Sequence, residues 1–368
     1  MTDLEHILPL WRELEAAGTE YVLATVVKVE GSSYRKPGAR MLLAADGRRA
    51  GTVSGGCLEA EVAKKAFWHT EAGPAVREYS TYDDDGEMPY GSGCGGRVWI
   101  LLERRGTADA AMRALEKAWN ERLPLVIATV IEGDRVGERV FPVIAGDAEL
   151  AALLKFKADL PLWVEERAAR PTLWVFGAGD DAKPLVTMAR TLGWYVAVAD
   201  GRSHLATAAR FPEADAVHVP AADEAPEFYI RAGDAAVVMT HSFEQDLRIL
   251  TGLMSRGVWP AYIGVLGPQR RTRELLTEVA RKLELAPSER VIEGWLADLY
   301  APTGLDLSAE TPAAIALSIV AEIQKVLAGA TALPLKQVRG LRSKAVKQPE
   351  VQDLDYPQGI VTIRRKNG

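Results

Sequence analysis

The sequence predicts an α/β protein: an N-terminal mixed α/β domain followed by a Rossmann-like domain with a doubly wound parallel sheet. The chain has 368 residues, 48% of them hydrophobic, which is enough for more than one core. Short β-branched runs alternate with amphipathic helical patterns over the first 145 residues. A strand, a glycine loop, a helix, a second strand and an acid then follow one another between residues 173 and 200.

The mixed domain is predicted over residues 1–145. Apolar residues at helical spacing predict a helix over 3–17, and Asp46-Gly47 is a typical hairpin signal between two strands. The remaining patterns predict helices over 57–69 and 107–121 and strands over 21–29, 39–43, 48–53, 76–81, 97–102, 124–131 and 135–143. Residues 146–171 are rich in Ala, Leu, Lys and Glu, and we interpret them as a helical linker.

The Rossmann-like domain is predicted over residues 172–330, and residues 331–368 as an extended polar tail. Its first strand leads directly into Gly177-Ala178-Gly179, and its second strand ends at Asp200. In dinucleotide-binding proteins such glycines allow a tight turn and close approach of phosphate, and the acid binds ribose. Gly177, Gly179 and Asp200 are therefore candidate residues for NAD(P). Asp180 and Asp181 would repel a phosphate there, and a domain that serves only as a scaffold is the alternative.

Both cysteines of the chain lie in glycine clusters. Cys57 follows Gly55-Gly56, and Cys94 precedes Gly95-Gly96. Glycines let backbone N–H groups approach an anion or a ligand closely, so we expect both clusters to line a site. The start of the predicted helix would also favour the thiolate of Cys57. A disulfide, a shared metal ion and two unrelated tight turns are the alternatives.

Composition and charge exclude several classes of protein. The net charge of −6 does not fit a nucleic-acid binder, and we expect neither a signal peptide nor a transmembrane helix, since the sequence shows no apolar run of the length that either needs. Two cysteines in a chain of this length do not make a disulfide framework, so we expect the reducing cytoplasm.

The motifs and their order resemble the XdhC/CoxI family, the xanthine dehydrogenase accessory factors, over about residues 5–328. The matching stretches include Gly31-Ser32-Ser33-Tyr34-Arg35-Lys36-Pro37-Gly38-Ala39-Arg40-Met41, Ser54-Gly55-Gly56-Cys57-Leu58-Glu59, Gly93-Cys94-Gly95-Gly96, Val175-Phe176-Gly177-Ala178-Gly179, Tyr262-Ile263-Gly264-Val265-Leu266-Gly267, Ala301-Pro302-Thr303-Gly304-Leu305-Asp306 and Thr311-Pro312-Ala313-Ala314-Ile315-Ala316.

The resemblance implies a cofactor-insertion chaperone rather than a catalyst. Such a protein binds the molybdenum cofactor (molybdopterin) and protects it while a cysteine desulfurase supplies sulfur. It then delivers the cofactor to the apo-enzyme of a molybdenum hydroxylase such as xanthine dehydrogenase or carbon monoxide dehydrogenase. A homodimer is expected, because the carrier must present a protected pocket.

For the cofactor that the resemblance implies, Cys57 and Cys94 are the expected molybdenum ligands, since molybdenum takes soft sulfur donors. The phosphate of the pterin needs hydrogen-bond donors, and Ser33 and Arg40 are our candidates, while Arg35 and Lys36 also fit a solvated basic hairpin.

Other residues and functions remain open. We interpret Asp83-Asp84-Asp85 as an acidic surface loop, and expect His241, Asp246 and Asp306 at the mouth of the parallel sheet. An NAD(P)-dependent oxidoreductase and a docking module with idle cysteines are the alternative functions.

Overall fold

The computed structural model describes residues 3–56, 58–80, 96–141, 161–220, 230–256 and 259–342. Three of the predicted site residues, Cys57, Cys94 and Gly95, lie outside the described residues, as does the acidic segment of residues 83–85. The described parts confirm the predicted fold class, with strands and helices in both halves and a parallel sheet in the second.

The N-terminal domain is built on a five-stranded antiparallel sheet with the strand order β3-β2-β1-β5-β4. Alternate residues of the central strand point to opposite faces, so Val22 packs toward α2 while Leu23 packs toward α1 and α3. The elements are α1 (Asp3–Ala17), β1 (Tyr21–Gly31), β2 (Arg40–Ala44), β3 (Arg49–Gly51), α2 (Glu59–His69), β4 (Ala75–Ser80), β5 (Gly96–Arg104) and α3 (Arg105–Glu121).

A small antiparallel sheet follows α3, and its last strand corrects the prediction of a helix for residues 162–167 of the linker. It consists of β6 (Leu125–Val130), β7 (Arg139–Val140) and β8 (Leu162–Arg167) in the order β7-β6-β8. Residues 162–167 form a strand because they pair with β6 along its whole length and bury Glu165. The remainder of the predicted linker, up to residue 160, lies outside the described residues.

The second domain has a five-stranded parallel sheet with helices on both faces, as predicted. Its strands are β9 (Thr172–Phe176), β10 (Tyr195–Ala199), β11 (Ala216–His218), β12 (Ala235–Val238) and β13 (Tyr262–Val265), in the order β11-β10-β9-β12-β13. Because the order reverses between β9 and β12, the loops that follow these two strands flank a crevice at the carboxyl ends of the strands.

The helices of this domain divide between the two faces of the sheet. They are α4 (Ala182–Thr191), α5 (Phe243–Met254), α6 (Gln269–Lys282), α7 (Glu289–Asp298), α8 (Pro312–Ala328) and α9 (Leu335–Arg342). Helices α4 and α8 cover one face, and α5, α6 and α7 cover the other. Helix α9 corrects the prediction of an extended tail over residues 335–342.

The two domains contact each other mainly through arginine side chains. Arg190 of α4 donates to Glu5 of α1 at 2.8 Å, and the guanidinium of Arg170 lies 4.2 Å from the ring centroid of Trp119. Such planar stacking suits a guanidinium better than an ammonium group. None of the helices in the described ranges is long and apolar enough to cross a membrane.

Candidate functional site

The described part of the first glycine-cysteine loop folds around one carboxylate, that of Glu59 at the start of α2. This carboxylate accepts hydrogen bonds from the backbone N–H groups of Val53 at 3.1 Å, Ser54 at 2.8 Å and Gly56 at 2.9 Å. The Ser54 hydroxyl also donates to it at 2.6 Å and accepts from the Leu58 N–H at 3.0 Å. Glu59 therefore fixes the chain on both sides of Cys57.

Glu59 holds its charge inside this loop. Burial alone would raise the pKa of the Glu59 carboxyl, but the hydrogen bonds from Ser54, Val53 and the other donors outweigh it and lower the pKa. Three of the N–H groups around the glycines are thus already directed at an anion that belongs to the chain. Our sequence interpretation gave Glu59 no role. Ser54 and Glu59 are five residues apart, which differs from the three-residue spacing of a capping box, so no local sequence signal marked this role.

The loop of residues 32–37, which Gly31 and Gly38 flank, lies against Gly55 and Gly96, each of which is two residues from a cysteine. A Cβ atom on Gly55 would lie 3.0 Å from the ring of Tyr34, and one on Gly96 would overlap the carbonyl oxygen of Ser32. At Gly96 the obstacle is backbone and only glycine permits the approach, whereas the exposed Tyr34 ring could shift for a side chain at position 55. Gly55 precedes Cys57 by two residues, and Gly96 follows Cys94 by two residues. The 32–37 loop therefore contacts a described residue near each cysteine.

A cleft of about 370 Å³ opens beside the 32–37 loop. Tyr34 lines this cleft, its ring lies next to Gly55, and the residue is 77% exposed. Arg35 pairs with Asp3 of α1, while the Ser33 hydroxyl donates to the Arg35 carbonyl oxygen at 2.9 Å. The cleft is lined by Tyr34, Arg35, Lys36, Arg40, Glu165 and Arg167, among others.

Arg40 lines the cleft but is only 3% exposed. One of its terminal nitrogens donates to Glu165 at 2.8 Å and to the Gly38 carbonyl oxygen at 2.9 Å, and the other pairs with the second oxygen of Glu165. Burial raises the pKa of Glu165, but Arg40 outweighs it and lowers the pKa overall. Among the described residues, nothing accepts a hydrogen bond from the buried Nε of Arg40. Arg40 thus ties β2 to β8 and retains one free N–H group.

In the second domain, the glycine loop after β9 has the expected tight turn. Gly177 has a φ of +131°, and a Cβ atom there would overlap the carbonyl oxygen of Met239. Gly179 differs from the dinucleotide-binding pattern, because the space beside its Cα is filled by the carboxylate of Asp181. The other oxygen of that carboxylate lies 2.8 Å from Nε2 of His241, a residue with a left-handed φ of 61°.

Asp200, the acid predicted to face a ribose, has a fully buried side chain. It accepts the Ala178 N–H at 2.8 Å and two side-chain hydrogen bonds from Arg202, at 2.7 Å and 3.0 Å. Burial alone would raise the pKa of Asp200, but these hydrogen bonds lower it. Asp200 therefore joins the ends of β9 and β10 inside the protein.

The three residues predicted at the mouth of the sheet, His241, Asp246 and Asp306, have different surroundings in the structure. His241 lies at the crevice with its side chain 60% exposed. Asp246 is buried, accepts the Thr240 hydroxyl at 2.6 Å, and is paired with Arg271, so it is not the partner of His241. Asp306 is exposed on a loop. Within the described ranges, no group of three or more His, Cys, Asp and Glu residues is placed to hold a metal ion.

The fold and these loops define a two-domain class of protein in which a glycine- and cysteine-bearing mixed domain precedes a Rossmann domain. Residues 14–80 match the description "XdhC and CoxI family", and residues 173–323 match "XdhC Rossmann domain". The chain belongs to the XdhC and CoxI family.

Named relatives cover most of the chain. A Bacillus subtilis (strain 168) protein, named as a probable subunit of xanthine dehydrogenase, is 33% identical over 83% of this chain and 92% of its own length. The "molybdenum cofactor insertion chaperone PaoD" of Escherichia coli (strain K12) is 25% identical over 88% of this chain and 89% of its own length. A crystal structure described as a xanthine dehydrogenase from Bacillus halodurans matches with a TM-score of 0.71 and 31% identity, covering 90% of this chain and 99% of that one.

Proposed function

We propose that this protein binds the molybdenum cofactor, protects it during sulfuration by a cysteine desulfurase, and delivers it to the apo-form of a molybdenum hydroxylase. The family indicates an accessory role for xanthine dehydrogenase-type enzymes. The observation that carries the finer proposal is the contact of the 32–37 loop with both segments that hold the cysteines.

The contacts at Gly55 and Gly96 support a shared site for the two thiols. Each cysteine is two residues from one of these glycines, and two residues of chain span at most about 7 Å. The contacts of Gly55 and Gly96 with the 32–37 loop therefore support our proposal that Cys57 and Cys94 act on one ligand. Thiolates are soft donors that suit molybdenum, and Gly55, Gly56 and Gly95 would let the backbone approach the cargo closely.

The 32–37 loop offers groups that fit the remainder of a pterin cargo. The exposed ring of Tyr34 presents a face on which a planar heterocycle would stack. Lys36 and Arg35 supply positive charge beside it, and the buried Arg40 would hold the end of the loop in place through its hydrogen bond to the Gly38 carbonyl oxygen. Ser33 would act by holding the turn that presents Arg35.

Substitution of the cysteines tests this function. The experiment uses Cys57→Ser, Cys94→Ser and the double variant, each loaded with molybdenum cofactor. Bound molybdenum per chain and the fluorescent oxidised pterin are measured, and Ser308→Ala on an exposed loop is the matched control. We expect each single variant to bind at least about tenfold more weakly, since a metal–ligand bond is lost. A double variant that binds as well as the unsubstituted protein would overturn the proposal.

An assay of cofactor delivery distinguishes the proposed function from the alternative of a docking module whose cysteines have no role. Cofactor-loaded protein is mixed with apo-xanthine dehydrogenase, and the appearance of hydroxylase activity is followed with and without a cysteine desulfurase. A cysteine-free variant that still activates the enzyme would favour a docking module.

We further propose that the protein is a homodimer and that it works in the reducing cytoplasm. Light scattering on the loaded protein measures the oligomeric state.

A further inference from the structure

We infer that the Rossmann domain of this protein holds no dinucleotide, because its own side chains occupy both places at which NAD(P) would be bound. This inference is independent of the proposed function, since it concerns the second domain alone. It rests on three contacts at the carboxyl ends of β9, β10 and β12.

The first contact fills the position of the phosphates. A dinucleotide places its pyrophosphate over the second glycine of the loop, against the N–H groups that begin the following helix. Here that space is taken by the Asp181 carboxylate, which a Cβ atom on Gly179 would overlap. Asp181 immediately precedes α4, so its negative charge already lies at the positive end of that helix. An incoming phosphate would meet a like charge in an occupied space.

The second contact closes the crevice itself. Asp181 belongs to the loop after β9 and His241 to the loop after β12, and these loops flank the point where the strand order reverses. The 2.8 Å contact between Asp181 and Nε2 of His241 therefore bridges the crevice. His241 adopts a left-handed φ of 61°, a conformation that non-glycine residues adopt infrequently.

The third contact covers the ribose position. Both oxygens of Asp200 accept hydrogen bonds from Arg202, and one also accepts the Ala178 N–H. A ribose hydroxyl would have to displace a charge-assisted pair to reach this carboxylate.

The basic groups beside the crevice are also engaged. Lys183 and Arg210 both pair with Asp180, at 2.8 Å and 2.9 Å. Arg202 donates to Asp200 and to the carbonyl oxygen of Thr240. A phosphate would therefore compete with carboxylates for each of these three cations.

The inference is tested by titrating the full chain with NADH and NADPH and following nucleotide fluorescence. We expect no binding by the unsubstituted protein up to about 1 mM. Asp181→Asn preserves the size of the side chain and removes its charge, and we expect it to bind at least about tenfold more tightly than the unsubstituted protein. Asp180→Asn is the control on the same loop: it releases Lys183 and Arg210 but leaves Asp181 and the bridge in place, so we expect a smaller gain than from Asp181→Asn.

Two results would overturn the inference. One is binding of either nucleotide by the unsubstituted protein at about 100 µM or tighter. The other is an Asp181→Asn variant that binds no better than Asp180→Asn. His241→Asn is a second variant, because asparagine tolerates a left-handed φ while its shorter side chain breaks the bridge, and it too should bind more tightly than Asp180→Asn. Molybdenum cofactor loading of all three variants should be unchanged, which separates this test from that of the proposed function.

Discussion

Ser54 and Glu59 are joined by two hydrogen bonds, one from the Ser54 backbone N–H at 2.8 Å and one from its hydroxyl at 2.6 Å. The loop that leads into Cys57 is therefore held by a carboxylate on the helix that follows it. This arrangement gives the Ser-Gly-Gly-Cys-Leu-Glu motif a physical basis, since Ser54, Gly56, Leu58 and Glu59 form one hydrogen-bonded unit.

Removal of the Glu59 charge should destabilise the protein. Glu59→Gln replaces a carboxylate that accepts several buried hydrogen bonds, and we expect a loss of about 1–3 kcal/mol in the free energy of unfolding. Urea denaturation measures it. Glu61→Gln is the matched control, because Glu61 makes an exposed pair with Lys65 on the same helix and should cost no more than about 0.5 kcal/mol. Equal losses for the two variants would contradict the role of Glu59.

The contribution of Glu59 should depend on pH in a defined direction. Its pKa is lowered in the folded protein, so its stabilisation is fully present above the ordinary value of about 4.5 and is lost as the pH falls through the lowered pKa. The difference in unfolding free energy between the unsubstituted protein and Glu59→Gln should therefore be constant near neutral pH and shrink in acid. A difference that grew in acid would contradict the lowered pKa.

Replacing one partner of the buried ion pair between Arg40 and Glu165 should destabilise the protein strongly. Arg40→Met leaves Arg167 as the one ionic partner of the Glu165 carboxylate among the described residues, and we expect a loss of about 3–5 kcal/mol. Replacing both partners, Arg40→Met with Glu165→Leu, should cost less, because no uncompensated charge remains in the interior. Thermal denaturation of the single and double variants compares them. A double variant less stable than Arg40→Met would show that the pair itself stabilises the fold.

Two glycine-to-alanine substitutions should have opposite effects. Gly177→Ala should destabilise the Rossmann domain, because φ is +131° and the added Cβ would overlap the Met239 carbonyl oxygen. Gly252→Ala, within helix α5 and with open space around it, should stabilise by about 0.5–1 kcal/mol. Calorimetric melting temperatures would measure both changes. Similar shifts of the same sign would be inconsistent with the structure.

The exposed ring of Tyr34 should matter to cargo binding and little to stability. Tyr34→Ala removes the stacking face, and we expect several-fold weaker binding of the cofactor, corresponding to about 0.5–1.5 kcal/mol. Tyr34→Phe preserves the ring and should bind nearly as the unsubstituted protein does. A cofactor-binding titration of the two variants decides the matter, and equal affinities for both would exclude stacking.

The parts that the sequence predicted correctly depend on neighbouring residues. The order from β9 through Gly177 to α4 and Asp200 is read from local periodicity and turn residues. The missed contacts join distant positions, such as Arg40 with Glu165 and Asp181 with His241, which are 125 and 60 residues apart. Strand β8 was missed for the same reason. Residues 162–167 were predicted as part of a helix, but their pairing with β6, which is distant in sequence, makes them a strand.

Glu59 is a different case, because its partners are within six residues and still could not be predicted. Its role depends on the loop of residues 53–56 turning back over the start of α2, and sequence spacing alone does not reveal that turn.

The first turn of α1 forms ion pairs with residues of both domains. Asp3 pairs with Arg35 in the loop beside the cysteine-bearing segments, and Glu5 pairs with Arg190 at the far end of α4 from Asp181. Helix α4 is 10 residues long, so it spans about 15 Å from the crevice to this contact. The first turn of α1 therefore fastens the 32–37 loop and the distal end of α4 to one element, and its removal would release both contacts at once. Substitutions at the crevice leave both ion pairs intact.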